Sequence, residues 1–159
     1  IRNPDRLFIM SDRDRILIAD DHQQNVELLE AYLADRDVDV AIAVDGQDAL
    51  DKFASFQPHL ILLDIMMPKL SGFEVCERLK GDPATSGVMI LMVTALNEDG
   101  DIERAVEAGA DDFISKPVHK LELLKRVDNM LKLRQVTDER ERLRRYIESM
   151  EERTQAPSA

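Results

Sequence analysis

The sequence predicts an α/β fold built on a mostly parallel sheet, and three observations carry that expectation. Short apolar runs alternate five times with stretches whose apolar residues recur at helical spacing. The third and fourth runs, residues 60–63 (L-I-L-L) and 88–94 (V-M-I-L-M-V-T), are apolar at nearly every position, as strands buried on both faces are. Polar groups suited to chemistry follow four of the runs directly: Asp20 and Asp21, Asp64, Thr94 with Ala95, and Lys116 with Pro117. Alternating strands and helices imply right-handed crossovers that cover both faces of the sheet.

Taken in order, residues 15–20 (R-I-L-I-A-D) form the first strand, and 25–34 a helix with Val26, Leu29 and Leu33 inward. Residues 38–44 form the second strand, and 47–56 a helix with Ala49, Leu50, Phe53 and Ala54 inward. After the third strand, 60–63, a helix spans 72–80 and is ended by Gly81 and a loop holding Pro83. It carries Cys76 as a small apolar residue. The fourth strand, 88–94, leads to a helix over 101–109 with Gly109 at its C-terminal cap, and 112–115 is a short fifth strand. From Val118 to about Arg153 there is no Pro or Gly, and one long helix is expected.

Bulk composition sets outer limits. A chain of 159 residues suits one domain plus something extra, and 44% apolar residues suffice for an ordinary core. With no Trp and 4% aromatics, that core is aliphatic. The single cysteine excludes an internal disulfide framework and a Cys-based zinc site within the chain. No apolar run approaches the ~20 residues of a membrane span. The first residues are too charged and too short for a secretory signal, so the expected compartment is the cytoplasm. Met10 opens a natural-looking start, and residues 1–9 read as added upstream, within an N-terminal extension over 1–13. Residues 119–159 hold 10 Lys+Arg against 8 Asp+Glu, net +2, so residues 1–118, with 11 against 24, net −13. Such an acidic body is a poor match for nucleic acid and suits a cation or a basic protein partner.

In parallel α/β sheets, function gathers at the carboxyl ends of the strands. Each polar residue there has a plain alternative: an Asp after a strand serves as a turn or helix cap, and Asp21 in particular could cap the helix near Gln24. Thr94 could be a β-branched strand end and Lys116 a solvated charge. Agreement of four strand ends at one edge outweighs those alternatives. Three converging carboxylates repel and raise one another's pKa, so they call for a cation, and oxygen ligands with room for water favour Mg²⁺ or Mn²⁺ over zinc. Such an ion aligns a carboxylate with a phosphoryl group; Lys116 supplies a cation and Thr94 a hydroxyl for the phosphoryl oxygens. The expected product is an aspartyl phosphate on Asp64.

Four stretches together carry a family resemblance: Asp20-Asp21, the run D-I-M-M-P-K-L-S-G over 64–72, V-T-A over 93–95, and G-A-D-D-F-I-S-K-P over 109–117. In this order and spacing they resemble the CheY-like receiver domain of two-component response regulators, over about residues 14–131. The resemblance implies a flavodoxin-like (βα)5 doubly wound sheet with strand order 2-1-3-4-5. It implies Asp64 as phosphoacceptor, phosphorylated from a sensor histidine kinase or phosphotransfer protein. It implies Mg²⁺ on Asp21, Asp64 and the backbone carbonyl of Met66, with Asp20 acting largely through water. Thr94, Ala95 and Lys116 would contact the phosphoryl group, and Phe113 would be the aromatic switch residue. Pro68 and Gly72 would shape the loop after the acceptor, and the Lys116–Pro117 peptide bond would be cis.

A different class uses similar parts. Haloacid-dehalogenase-type phosphatases combine an Asp nucleophile with Mg²⁺, Thr and Lys, and carry a second Asp two residues on as general acid/base. Here that position is Met66, which cannot move a proton, so a signalling module is favoured over a phosphohydrolase.

The end of the chain has its own pattern. Leu121, Leu124, Val127 and Leu131 are expected on the body; beyond them Leu133, Val136, Leu143, Ile147 and Met150 recur near a/d spacing, interrupted by Arg140. Charge pairs four apart line the polar face: Arg134–Asp138, Asp138–Arg142, Glu141–Arg145 and Arg144–Glu148. A solitary charged helix is one reading of residues 132–153; a two-stranded coiled coil that makes the protein a homodimer is the favoured one, with 154–159 a disordered end. The arrangement resembles the input half of multidomain regulators; either the chain belongs to a longer protein with an output domain, or the coil itself is the output.

Overall fold

The computed structural model describes residues 13–95 and 99–155. The upstream extension over 1–12 and the last residues, 156–159, lie outside the described residues, as does the side chain of Asp138 and hence its two expected pairs. Five strands alternate with five helices: β1 Asp14–Ala19, α1 Gln23–Leu33, β2 Val38–Ala43, α2 Gly46–Phe56, β3 Leu60–Leu63, α3 Gly72–Gly81, β4 Met89–Thr94, α4 Asp99–Glu107, β5 Asp112–Ser115 and α5 Lys120–Gln155. All strand pairs are parallel, in the order β2-β1-β3-β4-β5. The sequence thus yields the flavodoxin-like α/β sheet it predicts, each element within a few residues of its expected bounds.

The period of two along each strand divides the core. Ile16, Ile18, Leu60, Leu62, Leu91 and Val93 face α1 and α5, while Leu17, Ala19, Ile61, Leu63, Ile90 and Met92 face α2, α3 and α4. Both layers are apolar, which is why the middle strands alternate in direction but not in polarity. Cys76 is fully buried in the second layer, its thiol donating to the Ala108 carbonyl at 3.3 Å; burial pushes its pKa up to about 11.

Helix ends follow local chemistry. Asp45 and Ser71 cap α2 and α3 through the backbone N–H groups of Asp48 and Glu74. The Asp48 N–H, aided by Lys69, holds the Asp45 carboxyl below the usual range. Gly109, at φ +93°, ends α4 in a Schellman turn: its N–H donates to Val106 and that of Ala110 to Ala105, both at 3.0 Å. The alternative role of Asp21 as a helix cap is not taken up. His22 occupies the N-cap of α1 and makes no side-chain cap bond, and the Asp21 carboxylate lies 3.0 Å from its imidazole Nδ1.

Two inward assignments also fail. Ala54 is exposed, and Leu121 is 84% exposed, its expected place taken by the fully buried Leu123. The buried stripe of α5 comprises Leu123, Leu124, Val127, Met130 and Leu131. At ~100° per residue, Leu121 lies about 120° from the centre of that stripe. A two-pronged Arg36–Asp128 pair at 3.1 and 3.0 Å ties α5 to the loop after α1, and the Tyr32 hydroxyl of α1 donates to the Val118 carbonyl, just before α5, at 3.2 Å. α5 then continues past the body for a total of 36 residues, about 54 Å. Arg144–Glu148 pairs at 3.5 Å; Glu141–Arg145 is not among the described ion pairs, and Arg134 reaches back to Asp14 at 3.5 Å. No helix among the described residues is long and apolar enough to cross a membrane.

Candidate functional site

β1 and β3 are neighbours in register, Ala19 beside Leu63, so the next residues, Asp20 and Asp64, emerge side by side. The Asp64 amide donates to the Ala19 carbonyl at 2.9 Å, which extends the ladder to the acid itself. This is the point where the winding reverses: from β1 the chain steps to β2 on one side, and then to β3, β4 and β5 in turn on the other. One strand further along, Thr94 pairs with Ser115, and the Lys116 amide donates to the Thr94 carbonyl at 2.8 Å. The strand ends therefore bring Asp20, Asp64, Thr94 and Lys116 to one edge on rigid backbone.

Burial and charge set the electrostatics. Asp20, Asp64 and Thr94 are buried at 3%, 4% and 1% exposure. The Lys116 ammonium bridges the two acids, 3.1 Å from Asp20 Oδ2 and 3.3 Å from Asp64 Oδ2. Burial pushes the Asp64 carboxyl above the usual range; Lys116 pulls it back and the Asp20 charge adds to the rise. The Met66 amide donates to Asp64 Oδ1 at 3.4 Å. The Lys116–Pro117 peptide bond is cis.

The loop after β3 is held by close backbone contact. The Gly72 amide donates to the Ile65 carbonyl at 2.8 Å, and a Cβ on Gly72 would sit 2.2 Å from the Asp64 carbonyl oxygen. The Pro68 carbonyl accepts from Gly46 at 3.3 Å and from Leu70 at 2.8 Å, tying this loop to the start of α2. Met66 is exposed beside the acids, and Phe113 is half-buried on β5, packed against the α2–α4 layer.

Asp21 is exposed at the rim, where its Oδ1 lies 3.0 Å from His22 Nδ1. One ligand-type atom from each of Asp20, Asp21, His22 and Asp64 falls within 4.8 Å of the others. Carboxylate oxygens of like charge, two of them buried, match the oxygen preference of a hard divalent cation. His22 was not legible in the sequence as part of this group. The residue follows Asp21 directly, but its side-chain direction depends on how α1 begins.

The receiver-domain profile, described as the response regulator receiver domain, matches residues 16–128. The chain is 43% identical over 125 residues to the response regulator PleD of Caulobacter vibrioides, covering 79% of this chain and 28% of that protein. It is 41% identical over 115 residues to the DNA-binding response regulator MtrA of Mycobacterium tuberculosis, covering 72% of this chain and 49% of that protein. The chain thus spans half or less of the length of these relatives. Among solved structures, a CheY-like receiver domain protein from Methanospirillum hungatei superposes with a TM-score of 0.73 at 28% identity, covering 79% of this chain and 98% of the other. These similarities support the signalling reading, and none of them supports the phosphohydrolase one. Receiver domains bind Mg²⁺ at an acidic site, interact with histidine kinases or phosphotransfer proteins, and are generally not catalytic enzymes in their own right. The chain belongs to the response regulator receiver domains of two-component signal transduction.

Proposed function

We propose that Asp64 is the phosphoacceptor of this receiver and that its phosphorylation switches the α4–β5–α5 face and the helical extension. The observation that carries this reading is the bridge of Lys116 between Asp20 and Asp64 at the reversal point of the sheet. An Asp64 carboxylate oxygen attacks the donor phosphorus. A P–O bond forms as the bond to the donor breaks, and a phosphohistidine donor leaves as imidazole, which takes up a solvent proton. Lys116 offsets charge on the phosphoryl oxygens, and Thr94 donates its hydroxyl. Asp21, Asp64 and the Met66 carbonyl would hold Mg²⁺ or Mn²⁺ directly, with Asp20 acting through water. When bound, that ion neutralises the carboxylate cluster and aligns the phosphoryl group.

The product adds three acceptor oxygens and roughly −1.5 to −2 charge at one point. Thr94 moves toward that charge, and the space it leaves admits the half-buried Phe113 ring. The ligand need only bind one state better than the other. Domain boundaries at 14–131 and 132–153 follow, because burial along α5 ends at Leu131. Beyond it, Leu133, Val136, Leu143, Ile147 and Met150 are exposed in a/d spacing. That seam fits a second copy of the chain, and the homodimer would transmit the switch to an output domain or partner.

Intact mass after incubation with Mg²⁺ and acetyl phosphate tests the chemistry. Wild type gains one phosphoryl group and Asp64→Asn gains none; equal gain by both would overturn the assignment.

A further inference from the structure

The imidazole of His22 has no part in the reading above, yet it sits in the cluster. His22 is the N-cap of α1, but its side chain makes no cap bond, so the helix does not use it. Its backbone N–H instead donates to Asp20 Oδ1 at 2.8 Å, which fixes both the acid and the start of the helix. Its Nδ1 then lies 3.0 Å from Asp21 Oδ1 and 3.4 Å from Asp20 Oδ1. Donors bound to one ion at about 2.1 Å stand roughly 3 to 4 Å apart. The two His22 separations, 3.0 and 3.4 Å, are on that scale, and one ligand-type atom of Asp64 lies within 4.8 Å of the group.

We infer that His22 is a further ligand to the ion in the acidic pocket, biasing that site toward transition ions over Mg²⁺. The inference rests on the acidic pocket being a cation site, as the proposed function holds. Mg²⁺ demands oxygen donors and keeps several waters, so an imidazole adds little to its binding. Imidazole nitrogen is a far better ligand for Co²⁺ or Ni²⁺, and the affinity gained rises along that series. The side chain is 66% exposed, against 3% for Asp20, so its imidazole is open to water while the acid beside it is not. Replacing one water by Nδ1 needs no rearrangement of the strands, because the position of His22 is set by the backbone bond to Asp20.

The test uses the full chain with Co²⁺ and Mg²⁺ as probes, in wild type, His22→Gln, His119→Gln and Asp64→Asn. Co²⁺ affinity is read from visible absorption, Mg²⁺ affinity from competition, and direct nitrogen ligation from pulsed EPR of the Mn²⁺ form. His22→Gln should lose about tenfold or more in Co²⁺ affinity. Its Mg²⁺ affinity should fall far less, and the nitrogen coupling seen in wild type and His119→Gln should vanish. Co²⁺ binding that Asp64→Asn weakens but His22→Gln leaves unchanged, with no nitrogen coupling in wild type, overturns the inference and leaves the receiver reading intact. Ion binding indifferent to Asp64→Asn overturns both.

Discussion

Replacing Gly72 by Ala probes how closely α3 is held against the end of β3, and so how Asp64 is positioned. A Cβ there would lie 2.2 Å from the Asp64 carbonyl oxygen, 2.8 Å from the Ile65 Cα and 2.9 Å from the Asp64 carbonyl carbon. All three are backbone atoms, so no rotamer change relieves the overlap. The first turn of α3 must retreat by about 1 Å to restore ordinary contact. That movement also stretches the 2.8 Å bond from the Gly72 amide to Ile65. Overpacking costs about 1–3 kcal/mol and the weakened hydrogen bond about 1 kcal/mol, so a total of about 2–4 kcal/mol is expected. With a urea dependence of about 2 kcal/mol per molar, the unfolding midpoint should fall by about 1–2 M. Gly81→Ala is the reference, since Gly81 ends the same helix with nothing within 4 Å of the added carbon. That variant should be neutral or gain up to about 1 kcal/mol. Urea unfolding followed by circular dichroism compares the two. Equal midpoints for Gly72→Ala and Gly81→Ala would refute the close-approach argument.

Three further outcomes follow from the same geometry. Lys116→Met removes the cation between Asp20 and Asp64, and acceptance of phosphate from acetyl phosphate should fall on the order of 100-fold, measured by intact mass over time. The Cys76 thiol keeps its proton to about 11 in the folded chain against 9.0 ordinarily, so the folded state holds a proton the unfolded chain gives up. Its contribution is fully present below pH 9.0 and is lost as pH rises from there toward about 11, by about 1.4 kcal/mol per pH unit. Urea midpoints of wild type and Cys76→Ala, taken on both sides of pH 9.0, should show the steeper decline only in wild type. Leu143→Lys with Ile147→Lys places charge on the seam of the extension, and sedimentation velocity should show a dimer for wild type and a monomer for the variant; identical profiles would refute the coiled coil.

Much of this architecture is legible in the residues alone. Apolar runs mark the strands, and their common carboxyl edge follows from parallel topology, which places Asp20, Asp64, Thr94 and Lys116 at one edge. What failed depended on angular phase and side-chain direction. Leu121 stands three residues before Leu124, yet the buried stripe is centred nearer Leu123 and Val127, and a short window cannot fix that centre. Ala54 lies off the α2 stripe for the same reason, while Ala49 and Phe53 define it. The N-cap of α1 is His22 rather than Asp21, a difference of one residue that spacing alone does not decide. A Cβ on Gly46 would lie 2.2 Å from the Leu70 carbonyl oxygen, a close approach between two segments distant in sequence that periodicity within either segment does not report.

The central claim is that Asp64, and no other carboxylate of the edge, takes the phosphoryl group. Borohydride reduction of the phosphorylated chain converts an aspartyl phosphate to homoserine, and peptide sequencing by mass spectrometry then places it. The account predicts homoserine at position 64, absent without phosphodonor and absent when Mg²⁺ is chelated. Homoserine at position 20 or 21, or phosphate that resists borohydride and maps to Thr94 or His22, would contradict it.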